Sequence, residues 1–159
     1  FDQQPEENSY DYIILQDTLH NIEPLDEALP IFRNALKPEG KLILIEENGG
    51  CWIKSAMLFK QRGNKRVISM YDETLKKEVL MGNENICPEK LWRKHLEKAG
   101  FQLEENSLQC IRFLPSCCFN ENNLHNNVEK EQKIWRKSAF LRHHAFWGIN
   151  MVFGKAMRR

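Results

Sequence analysis

Apolar positions change their spacing several times along the chain, and each change predicts an element. Tyr10 to Leu15, YDYIIL, is a short aromatic and β-branched run that gives way to polar Gln16, Asp17 and Thr18, the pattern of a strand entering a loop. From Leu25 the spacing lengthens to three and four through Ala28, Leu29, Phe32, Ala35 and Leu36. That predicts an amphipathic helix opened by Pro24 with Asp26 and Glu27 close behind, and Pro30 as a kink or a delayed start. Lys37-Pro38-Glu39-Gly40 ends the helix, with Gly40 free to take a positive φ, and Lys41 to Ile45, KLILI, is apolar enough to lie inside a sheet. Strand, helix and apolar strand in this order make a right-handed, parallel βαβ unit whose second strand stops on Glu46 and Glu47.

Beyond it, Gly49-Gly50 reads as a flexible corner, and Trp52, Ile53, Ala56, Met57 and Phe59 predict a short helix reaching Gln61. Arg62 to Asn85 mixes charge with scattered apolar residues and has no clean period, so it is expected to be an irregular insertion serving as a lid or substrate cover. Pro88 opens a helix with Leu91, Trp92, Leu96 and Ala99 on one face, His95 near that face as a packed or rim histidine, and Gly100 at its stop. Phe101 to Pro115 reads as extended with an interruption near Glu105-Asn106, and Asn120 to Asn127 as a polar loop. Val128, Ile134, Trp135 and Leu141 predict another helix, and the alternation of Trp147, Ile149, Met151 and Phe153 a last strand.

A length of 159 residues fits one domain with a real core, and 42% hydrophobic with 28% charged residues suits a soluble globule. The chain starts at Phe1 without a methionine and shows no leader or transmembrane run, so it is read as a piece of a longer chain. A net charge of +1 argues against a strong electrostatic attraction to nucleic acid or an anionic membrane, and the locally basic stretch from Arg136 to Arg159 reads as a solvated face. Cys51, Cys87, Cys110, Cys117 and Cys118 are odd in number and lack disulfide or zinc spacing, which fits a reducing cytoplasm and small buried side chains. The adjacent Cys117 and Cys118 are expected to pack at a strand end rather than to react.

Three phrases in order carry a resemblance: Asp17-Thr18-Leu19-His20-Asn21-Ile22, Leu36-Lys37-Pro38-Glu39-Gly40, and Leu96-Glu97-Lys98-Ala99-Gly100-Phe101. Together they resemble the carboxyl-terminal half of class I S-adenosylmethionine-dependent methyltransferases, over most of Ser9 to Leu103. Glu39 replaces the usual first glycine of the turn, and Asn21 stands where a second histidine is common. The resemblance implies a Rossmann-like, three-layer α/β/α methyltransferase fold, present in part as strands four to seven with their helices. Residues 1–159 are then a single partial domain, with 50–86 as an acceptor-side insertion or lid. The glycine-rich loop and the acidic strand end that grip the cofactor in this family have no counterpart here, because Gly40, Gly49 and Gly50 follow the wrong elements.

Methyl transfer is an in-line displacement, in which the protein positions donor and acceptor and removes a proton from some acceptors. By resemblance, Leu15, Gln16 and Asp17 pass beside the methionine part of S-adenosylmethionine; Asp17 either contacts cofactor or acceptor or caps the following turn. His20 is the candidate general base, or else shapes its loop. Glu46, Glu47 and Asn48 leave the apolar strand at the same edge, on the substrate side; alternation sends the two glutamates to opposite faces, so one of them is expected to face the acceptor, or else both are a solvated strand end. Tyr71, Trp52 and Met57 fall in segments that cover the acceptor in this family, which favours a small-molecule or lipid-like acceptor over nucleic acid. The competing reading is a non-catalytic, methyltransferase-like interaction module that pairs through its exposed sheet edge.

Overall fold

The structure, a computed structural model, describes residues 5–114, 117 and 122–156. Cys118 and the end of the basic stretch, 157–159, lie outside the described residues, as do both ends of the segment before the fourth helix at 115–116 and 118–121.

Strand β1 (Tyr10–Gln16), a 3-10 turn (Leu19–Asn21), helix α1 (Leu25–Ala35) and strand β2 (Leu36–Glu47) form the expected parallel unit, with Ile13 opposite Leu42 and Gln16 opposite Ile45. Pro30 stands inside α1, on its exposed side. The helix stops at Ala35 because a residue preceding proline, here Lys37, is driven out of the helical region. Its last carbonyls are used at once: Asn34 and Ala35 accept from the backbone of Asn8 and Ser9, each at 2.9 Å.

The strand therefore begins earlier than the apolar run suggests. Leu36 already pairs with Tyr10, and Lys37 to Gly40 form an irregularity before Lys41 pairs with Tyr12. Gly40 does not take a positive φ, contrary to expectation. It is glycine because a Cβ there would stand 2.9 Å from the Tyr10 carbonyl oxygen and 3.0 Å from that of Lys37.

The chain continues through α2 (Trp52–Arg62), β3 (Val67–Asp72), β4 (Lys77–Gly82), α3 (Glu89–Lys98), β5 (Phe101–Leu103), β6 (Gln109–Ile111), α4 (Leu124–Lys137), α5 (Ala139–His144) and β7 (Gly148–Lys155). The main sheet runs β1-β2-β7-β5, with β6 also on β7; β7 is antiparallel to β2, β5 and β6. Cross-strand neighbours Leu42 and Phe153, Leu44 and Met151, and Glu46 and Ile149 share one buried face. Leu29 of α1 and Trp92 and Leu96 of α3 join these residues in one core. On β1, Ile13 and Leu15 turn to that face, whereas Tyr12 and Ile14 point the other way and are 64% and 61% exposed.

The segment from Arg62 to Asn85 is not irregular: β3 and β4 pair antiparallel as a hairpin, Val67 opposite Gly82. Its turn is built by Asp72, whose carboxylate accepts from the backbone of Thr74 and Leu75 at 2.8 and 2.9 Å. Residues on both of its sides meet solvent, so the strands carry no alternation to read. Cys51, Cys87 and Cys110 are buried and free, but Cys117 is exposed, against the expectation of packing. Burial pushes the Cys87 and Cys110 thiols up to about 11. No helix among the described residues is long and apolar enough to cross a membrane.

Candidate active site

The parallel strands β1 and β2 finish side by side, and their carboxyl ends are joined by one buried carboxylate. Alternation along β2 places Glu46 on the core face behind Leu42 and Leu44, where it is completely buried. A charge taken out of water needs several partners, and this one has them. Its Oε1 accepts from the backbone N–H of Thr18 at 2.8 Å and of Leu19 at 2.6 Å, and its Oε2 lies 2.6 Å from His20 Nδ1. The loop after β1 is thus wrapped around Glu46.

His20 is 4% exposed. Burial pulls its pKa down, but the hydrogen bond and charge of Glu46, with the charges of Glu84 and Asp17 added, outweigh that and raise it above the ordinary value. Because Nδ1 is committed to Glu46, a neutral His20 carries its proton there and leaves Nε2 as the lone-pair nitrogen. Glu84 Oε2 is 3.7 Å from Nε2, within ion-pair reach but too far for a hydrogen bond. Glu84 arrives from the foot of the hairpin, which also clasps the turn: Asn85 N–H donates to the His20 carbonyl at 2.8 Å.

Asp17 takes a left-handed backbone, φ 45°, and its N–H closes the parallel ladder on the Ile45 carbonyl at 2.8 Å. Its exposed carboxylate meets the Arg112 guanidinium at 3.2 Å. Gln16 is also exposed, while Leu15 faces the core. Glu47, on the opposite face from Glu46, is paired with Lys54 of α2. Burial, with the nearby positive charge of Arg112, lowers the Lys54 ammonium below its usual range despite the surrounding carboxylates.

Asn48 faces inward. Its Nδ2 donates to the carbonyls of Phe146 at 3.0 Å and His143 at 3.2 Å, and its Oδ1 accepts from Gly50 N–H at 2.9 Å. The expected flexible corner is therefore a clamped one: a Cβ on Gly50 would come within 2.5 Å of the His143 carbonyl oxygen. Tyr71 stands well out along the hairpin, about 13 Å from Val67 at the usual strand rise, and is 55% exposed.

Of the residues singled out in the sequence, His20, Glu46 and Asp17 gather at one strand edge. Arg112, Lys54 and Glu84, which carry no motif in the sequence, complete the charge pattern through Asp17, Glu47 and His20. Alternation from Leu42 through Leu44 was a signal for the burial of Glu46, but nothing local points to Arg112, which arrives on the segment after β6. Beside the His20 turn lies a pocket of about 250 Å³ lined by Leu19, Ile22, Arg66, Asn85, Trp92 and His95 among others.

No protein-family model matches the sequence, and no curated protein does. Solved structures do match the fold. A SAM-dependent methyltransferase from Methanosarcina mazei is similar over 98% of this chain and 64% of its own, with a TM-score of 0.54 and 12% identity. An S-adenosylmethionine-dependent methyltransferase from Mesorhizobium loti is similar over 96% of this chain and 65% of its own, with a TM-score of 0.52 and 11% identity. The chain has the Rossmann-like fold of class I methyltransferases. It spans a little under two-thirds of the length of these two proteins.

Proposed function

We propose that the chain is the acceptor-side part of an S-adenosylmethionine-dependent methyltransferase, with His20 as the general base and Glu46 as the group that orients it. The observation that carries this reading is the buried Glu46 carboxylate on His20 Nδ1 at the carboxyl edge of two parallel strands, where open α/β sheets bind their ligands. Residues 50–86, α2 and the hairpin, act in this reading as the cover over the acceptor. Gln16 and Asp17 suit the cofactor because they are exposed at the end of an edge strand, and a sulfonium or ammonium would share the Asp17 carboxylate with Arg112. S-adenosylmethionine supplies an electrophilic methyl group; the chain orients the acceptor and takes its proton at His20 Nε2. The near-neutral net charge of +1 supports a small-molecule acceptor rather than a nucleic acid; the pocket beside the His20 turn is lined by neither His20 nor Asp17 and has no part in this reading.

The remaining grip on the cofactor is assigned to residues outside this chain, packed along β1. Titration with S-adenosylmethionine tests this: residues 1–159 alone should bind weakly, and the protein translated with the coding sequence that precedes Phe1 should bind tightly. Equal binding by both would overturn the division of the site.

The exposed Tyr12 and Ile14 on edge strand β1 favour one second reading, a non-catalytic module that adds its edge to a partner chain. It requires that the longer protein bind no S-adenosylmethionine and that Tyr12→Lys/Ile14→Lys release the partner.

A further inference from the structure

Helix α2 is built inside out. Trp52, Ile53, Met57 and Phe59 are 48 to 64% exposed, and none of its residues is buried. At 100° per residue these four, with Ala56 and Lys60, fall within an arc of roughly 160°, so the outward face is one apolar stripe carrying a single cation. The inward face holds Lys54, Ser55, Leu58 and Arg62. An amphipathic helix packing on its own sheet has the reverse arrangement.

Charge is as one-sided as polarity. From Trp52 to Arg66 the chain carries Lys54, Lys60, Arg62, Lys65 and Arg66 and no carboxylate; from Lys133 to His144 it carries Lys133, Arg136, Lys137 and Arg142 and again no carboxylate. The two stretches meet: the Trp52 ring lies 5.6 Å from that of Phe140, itself 58% exposed, and 4.9 Å from that of His144. Lys60, Lys65, Arg136 and Lys137 are exposed, and none is paired with a carboxylate among the described residues. Glu47 and Glu129 pair with Lys54 and Lys133, so the excess rests on Lys60, Lys65, Arg136 and Lys137, and the near-neutral total of +1 conceals it.

We propose that the α2–α5 face docks on an anionic lipid surface, with Trp52, Ile53, Met57, Phe59 and Phe140 entering the headgroup boundary and Lys60, Lys65, Arg136 and Lys137 meeting the lipid phosphates. An apolar stripe rich in large side chains, flanked by cations and free of acids, is the chemistry of an interfacial helix. Nucleic acid would use the cations and the aromatic rings but gives no reason for Ile53 and Met57 to face outward. The inference does not depend on methyl transfer. It would set the carboxyl edge of β2, which leads directly into α2, near the lipid surface.

The test is co-sedimentation with phosphatidylcholine vesicles containing about one-third phosphatidylglycerol, alongside vesicles of phosphatidylcholine alone, with tryptophan emission followed in parallel. Binding should need the anionic lipid, weaken with added salt and shift the emission to the blue. Trp52→Ala/Phe59→Ala and Lys60→Glu/Lys65→Glu should each lower affinity by at least about tenfold while the melting temperature stays near that of the parent. Arg136→Glu/Lys137→Glu gives an independent variant on the other stretch with the same expectation. Absence of vesicle binding, or binding unaffected by all three variants, would overturn the proposal. So would self-association abolished by Trp52→Ala/Phe59→Ala without vesicle binding, or preferential binding of a single-stranded oligonucleotide.

Discussion

His20 Nδ1 lies 2.6 Å from Glu46 Oε2, across 26 positions of sequence and at the adjoining ends of two parallel strands. The same carboxylate holds the N–H groups of Thr18 and Leu19, so one buried charge fixes both the loop and the imidazole. Glu46→Ala should leave those three donors without their acceptor and destabilise the fold by about 3–5 kcal/mol in urea unfolding. Glu46→Gln keeps an acceptor oxygen and should cost less, about 1–3 kcal/mol. A loss within about 0.5 kcal/mol for the alanine variant would show that the loop holds itself.

The raised pKa of His20 makes stability depend on pH. A histidine held above its unfolded value of about 6.5 contributes stability that is fully present below that pH and is lost as pH rises through the folded value. Urea midpoints should therefore fall on going from below about pH 6.5 upward through that value, and His20→Gln should flatten this part of the profile. As the proposed base, His20 must be neutral to act, so turnover of the proposed methyl transfer should run the other way and rise through the same raised pKa.

Gly40 is constrained by space, not by φ. Gly40→Ala would push a methyl against the Tyr10 and Lys37 carbonyls and the Leu36 side chain, and should cost about 1–3 kcal/mol by overpacking. Thermal unfolding measures it; a neutral or stabilising change would mean that the β1–β2 irregularity yields easily.

The βαβ unit was legible because its periods are set by burial on one face: three-and-four spacing from Leu25 to Ala35, then the apolar run from Lys41 to Ile45. Strand β7 was legible from the alternation of Ile149, Met151 and Phe153, all of which face the core. The hairpin was not, because solvent on both sides of Val67–Asp72 and Lys77–Gly82 removes any reason to alternate. The spacing of Trp52, Ile53, Met57 and Phe59 matches helix α2, but periodicity reports a stripe and not which way it turns. The edge that gathers Asp17, His20 and Glu46 followed from topology; the pairing of His20 with Glu46, and the arrival of Glu84 and Arg112, required the register and the loops in three dimensions. Asn48 has the neighbourhood expected of a site residue, yet its amide is spent on the Phe146 and His143 carbonyls.

The measurement that bears most directly on methyl transfer at this edge uses the protein with the coding sequence preceding Phe1, labelled S-adenosylmethionine and an extract of small metabolites. Label should pass to a small molecule, and His20→Gln should cut turnover by about 10²- to 10⁴-fold while leaving cofactor affinity nearly unchanged. No transfer despite cofactor binding, or transfer at an undiminished rate by His20→Gln, would contradict the account.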